Sequence, residues 1–101
     1  MERPREFRRV VFSKQDLAEA LVGAESAACH VEITMAPRIV VIIKTDGSPT
    51  RAFDETDVIN VLCDACRRFK IPVPRRADKR ILIDRARDDA IILQMSIGIL
   101  A

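Results

Sequence analysis

The sequence predicts an α+β fold, a two-layer α/β sandwich whose elements run β-α-β-β-α-β-β. Three observations point there. Two segments open with paired helix-start chemistry and then place apolar residues at helical spacing. Residues 30–35, His-Val-Glu-Ile-Thr-Met, alternate between apolar and polar side chains, as a half-buried strand does. Residues 39–43, Ile-Val-Val-Ile-Ile, are apolar and β-branched at every position, the pattern of a strand covered on both faces.

At 101 residues the chain is read as one domain over 1–101, with residues 1–6 polar and disordered. A domain of this size buries about two-thirds of the surface its unfolded chain exposes, so neither disulfide nor metal is required for folding. Hydrophobic residues at 49% and charged residues at 32% describe an ordinary soluble globular composition. No apolar run approaches the roughly 18 residues of a membrane helix. The first residues, MERPREFRR, lead into a strand rather than a signal-peptide apolar core. Three cysteines without disulfide-framework spacing fit reduced thiols, and together these features place the chain in a cytoplasm. A net charge of +2 is too small to imply a polyanionic partner by itself; only its distribution matters.

In chain order, residues 7–12 form the first strand. Ser13 then caps a helix with Asp16 as the capping acid and Phe12 to Leu17 as the hydrophobic staple. Leu17, Ala20, Leu21, Ala24 and Ala28 make a narrow apolar stripe, weakened by Gly23, and the helix is expected to end near Ala27. Strands over 30–35 and 39–43 follow, joined by a turn over 36–38. Asp46-Gly47-Ser48-Pro49 is turn chemistry that ends the second of them. The clearest helix starts at Asp54, with Asp57 completing the capping box and Phe53 to Val58 as staple. Val58, Leu62, Ala65, Cys66 and Phe69 fall on one buried stripe, with Ile59 and Cys63 at its edge, and Pro72 stops the helix. Strands over 81–84 and 90–97 close the chain, with a reversal over 85–89. Residues 10–21 and 51–62 share Phe, Asp and Leu at identical offsets, consistent with a repeated strand-helix unit or with two helices using one start chemistry.

This order resembles a ferredoxin-like α/β sandwich with one extra strand, by architecture only. If both helices cover one face of a single sheet, the other face carries too many apolar side chains to be left in water. Ile39, Val41, Ile43, Ile81, Ile83, Ile91 and Leu93 are therefore expected at an interface, with a second copy of the chain or another protein as the cover.

Three candidate chemistries compete with that reading. Cys63-x-x-Cys66 with Cys29-His30 supplies the atoms of a zinc site, but the pair is placed mid-helix rather than in a knuckle. Cys29 and His30 are moreover successive strand residues that point to opposite faces. A thioredoxin-like role needs the thiols at a helix N-terminus, which these are not. No metal and no cofactor are expected. His30 with Glu32 and Thr34 makes a possible acid-base face, which is more often a solvated strand surface, and the chain lacks a glycine-rich phosphate loop, HExxH or GxSxG. The chain is therefore read as non-enzymatic. The alternative function is nucleic-acid binding through residues 67–80, where Arg67, Arg68, Lys70, Arg75, Arg76, Lys79 and Arg80 face a single acid, Asp78. The opposing expectation is that acids from other segments neutralise these cations.

Overall fold

The computed structural model describes residues 5–23 and 28–98, and the burial of Arg5 and Gly98 is outside that description. The elements are β1 (Arg5–Phe12), α1 (Lys14–Val22), β2 (Cys29–Thr34), β3 (Val40–Thr45), β4 (Arg51–Asp54), α2 (Glu55–Arg68), β5 (Asp78–Asp84) and β6 (Ala90–Gly98), with a 3₁₀ turn over Arg85–Arg87. The α+β class holds.

The single ferredoxin-like sheet does not form. The strands divide into two antiparallel three-stranded sheets, β1-β6-β5 and β2-β3-β4. The reason lies in β4, a four-residue strand absent from the expected order. It pairs with β3 from Val40↔Asp54 to Ile43↔Arg51, and so occupies the edge of β3 at which a ferredoxin-like sheet inserts its first strand. β1 pairs instead with β6 along its whole length, Arg5↔Gly98 to Phe12↔Ile91. Residues 5 and 6 therefore belong to a strand rather than to a disordered tail; residues 1–4 lie outside the described residues.

Both helices start as their sequences dictate. The Asp16 N–H donates to Ser13 Oγ and the Ser13 N–H to Asp16 Oδ2, each at 3.0 Å. The same reciprocal pair joins Asp54 and Asp57 at 2.8 and 3.3 Å. Two otherwise orphaned donors are thus satisfied at each helix start. α1 ends at Val22 rather than near Ala27, because Gly23 takes φ +63° and terminates it; Ala24 of its expected stripe lies outside the described residues.

α1 packs on β1, β6 and β2, while α2 packs on β3, β4 and β5, so the helix pair touches both sheets and holds them in one body. Between these layers Leu17, Val41, Ile43, Val58, Leu62, Cys66, Ile91, Leu93 and Met95 are fully buried. No described helix is long and apolar enough to cross a membrane.

The end of α2 departs from expectation. Phe69 is not on the buried stripe but is the C-cap residue, 74% exposed. The chain leaves the helix through a Schellman arrangement: the Ile71 N–H donates to Cys66 O at 2.8 Å and the Lys70 N–H to Arg67 O at 3.0 Å. Ile71, directly before Pro72, takes the packing role assigned to Phe69. Lys70 occupies the left-handed position of this motif at φ +59°, where a side chain costs about 1 kcal/mol relative to glycine. Lys70→Gly is accordingly expected to stabilise the fold by about 0.5–1 kcal/mol, read as a higher urea midpoint at unchanged m value.

Candidate functional site

Strand alternation and register sort the β1-β6-β5 sheet into two faces. Towards the helices lie the rows Phe12–Ile91–Ile83, Val10–Leu93–Ile81 and Arg8–Met95–Lys79. On the reverse face lie Val11–Ile92–Leu82, Arg9–Gln94–Arg80 and Phe7–Ser96–Asp78. The side chains expected at an interface are thus mostly in the wrong place for one. Val41, Ile43, Ile81, Ile91 and Leu93 are 0–4% exposed in the chain's own core, and only Ile39 and Ile83 are half-buried. The expectation assumed one sheet with helices on one side. With two sheets, the helix pair takes the inner face of both.

The reverse face of β1-β6-β5 is the uncovered one. Among the described residues the exposed large hydrophobics are Phe7 at 57%, Val11 at 47%, Leu82 at 38%, Met35 and Phe69, and the first three all lie on this face. Half-buried Ile92 sits between Val11 and Leu82. The middle row is polar: Arg9 Nε donates to Gln94 Oε1 at 2.9 Å, with Arg80 on the other side of Gln94. The outer face of β2-β3-β4 is more fully dressed. There Lys44 Nζ lies 3.1 Å from Glu32 Oε1, and these two chains border the half-buried Ile42.

The seven cations of 67–80 do not form one patch. Lys79 lies on the helix-facing side of β5, its stem beside buried Met95 and its Nζ donating to Ala77 O at 3.4 Å. Arg80 lies on the reverse face. Arg67, Arg68, Lys70, Arg75 and Arg76 remain exposed around the C-terminal end of α2 and the connector after it. Of these five, Arg67 meets an acid, Asp64 at 2.9 Å, on its own helix. Acids from other segments do not reach the rest among the described residues.

The cysteines are placed as core residues. Cys63 and Cys66 are 4% and 0% exposed, and burial pushes both thiols above their ordinary value of 9.0. Lys79 and Arg67 pull Cys63 back in part, while Cys63 itself adds to the rise at Cys66. Raised pKa is the opposite of what a nucleophilic or metal-binding thiolate requires. Among the described residues, histidines, cysteines and carboxylates form no group of three suited to a metal ion. The folded state keeps the thiol proton that the unfolded chain gives up near pH 9, so stability falls as pH rises from about 9 through the folded values. Urea midpoints measured between pH 8 and 11 should fall with that onset, and less steeply in Cys66→Ala.

His30 is exposed, with Nε2 3.6 Å from Glu32 Oε1, but that carboxylate also holds Lys44. The side chain of Cys29 faces the helices and His30 the outer face, as alternation requires. Elsewhere, a groove of about 600 Å³ opens between β1, α1 and the end of α2.

No family model, no curated protein and no solved structure matches this chain.

Proposed function

We propose that the chain is a small, non-enzymatic, cytoplasmic interaction module that self-associates through the reverse face of the β1-β6-β5 sheet. The observation carrying this reading is the gathering of Phe7, Val11 and Leu82 on one face whose other side is already spent on the core. The face itself measures about 14 by 26 Å, three strand spacings by eight residues.

A second copy is the occupant this face suits. It carries both charge signs, Arg80 and Asp84, in the rows either side of Leu82. A two-fold axis running across the strands through the Val11–Ile92–Leu82 row sets that apolar row against its own copy and Arg80 of one copy against Asp84 of the other. The footprint is smaller than the roughly 800 Å² per partner of a standard interface, which makes the association reversible rather than obligate. Sedimentation over about 1–500 µM should show a concentration-dependent shift from monomer to dimer, maintained or strengthened in sulfate. An 11.4 kDa species alone at every concentration would remove the reading.

A further inference from the structure

A different surface, at the C-terminal end of α2, combines an exposed ring with cations unpaired among the described residues. Phe69 stands at the end of α2 with most of its ring in water, between Arg68 and Lys70 and followed by Arg75 and Arg76. Leaving a phenylalanine so exposed forgoes a large part of its burial free energy, and the Schellman turn holds it there: Ile71, not Phe69, returns to the core. The helix-end carbonyls that would repel an anion are already occupied, since Ala65 O, Cys66 O and Arg67 O accept from the N–H groups of Phe69, Ile71 and Lys70. Arg68, Lys70, Arg75 and Arg76 have no carboxylate partner among the described residues. They follow one another along an end of helix and an extended connector, a span of roughly 15 Å between Lys70 and Arg75.

Beside the ring lies the 600 Å³ groove, with an apolar floor from Val10, Phe12, Ala65 and Ile71. Arg68 lines one side of it. Asp16 and Glu19 line the groove as well, but Asp16 is engaged in the cap of α1 and Glu19 accepts from the Gln15 amide at 3.5 Å. Acids there exclude phosphate from the groove and confine it to the arginine side.

We infer that this end of α2 binds single-stranded nucleic acid, with a base stacked on Phe69 at the mouth of the groove and the phosphates on Arg68, Lys70, Arg75 and Arg76. Aromatic rings among cations are the recurrent means of holding a single strand without sequence preference, because every base offers a π-face. A duplex hides those faces. The residues assigned to base and phosphates, Phe69, Arg68, Lys70, Arg75 and Arg76, all lie off the sheet face, and the groove shares only Val11 with it, so the site is tested apart from self-association.

The test uses the full chain and a labelled mixed-sequence single strand of about 12 nucleotides, in DNA and RNA forms, with a blunt duplex and anionic phospholipid vesicles beside it. Binding of either single strand should weaken with salt at a log–log slope of about −3, for four phosphate contacts at about −0.7 each. Phe69→Ala should lose roughly tenfold in affinity at unchanged slope, whereas Arg75→Ala with Arg76→Ala should flatten the slope by about 1.4. Because the chain has no tryptophan, Phe69→Trp provides a single emitter, which should keep affinity and be quenched on binding. The inference is overturned if Phe69→Ala binds like the parent, if the duplex binds as tightly as the single strands, or if only the vesicles bind.

Discussion

Leu93→Ala is expected to destabilise the fold by about 3 kcal/mol or more. Leu93 has no exposed surface and sits at the middle of β6, the strand that carries both neighbours of its sheet, with Val10 on one side and Ile81 on the other. Truncation removes its transfer free energy and leaves a void where two strands and the helix layer meet, so little can collapse to fill it. Domains of this size are stable by about 5–15 kcal/mol, and the loss would take a sizeable share of that. Urea denaturation gives the value directly. Leu82→Ala, one strand away but on the reverse face, should cost below about 1 kcal/mol in the monomer, and a comparable cost at the two sites would mean that the inward and outward faces are assigned the wrong way round.

That contrast marks where residue patterns stop being informative. Local chemistry is legible: both capping boxes and the stripe of Val58, Leu62, Ala65 and Cys66 appear where spacing places them, because each depends on neighbours a turn or so away. The end of α2 is not. No glycine marks its left-handed residue, and Lys70 accepts that conformation at a cost, so spacing alone carries the stripe on to Phe69, past the last helical residue. β4 had a signal that went unused. The match of residues 51–62 to 10–21 carries a strand before each helix, and Phe53 of β4 stands where Phe12 of β1 stands.

Strand pairing was the largest gap. Which edge β3 offers, and to whom, is a non-local choice among strands of similar apolar character. Once β4 takes it, the interface residues expected from a single sheet become core. Val41 and Ile43 turn inward while Val40 and Ile42 stay half-buried outside, so the all-apolar run at 39–43 reports a strand with both faces partly covered without saying by what. The basic segment shows the same limit. Its composition suggested one patch, but alternation along β5 sends Lys79 and Arg80 to opposite faces, and only the helix end keeps its cations together.

Leu82→Glu should abolish self-association while leaving the monomer folded. Leu82 is 38% exposed on the reverse face, in the row it shares with Ile92 and Val11, so in the free chain the carboxylate remains hydrated and circular dichroism should be unchanged. In the dimer it must lose that water against apolar surface, and two-fold symmetry imposes the penalty twice. At about 1.5–2 kcal/mol per copy the combined loss exceeds a hundredfold in the dissociation constant, so a dimer of about micromolar affinity would form only at the top of the sedimentation range. Binding of single strands at the end of α2 should persist in this variant, since none of the residues assigned to base and phosphates lies on the sheet face. A Leu82→Glu chain that still dimerises with parental affinity would place the contact on another surface, and the mixed face of Phe7, Val11 and Leu82 would then be simply the solvated side of a small sheet.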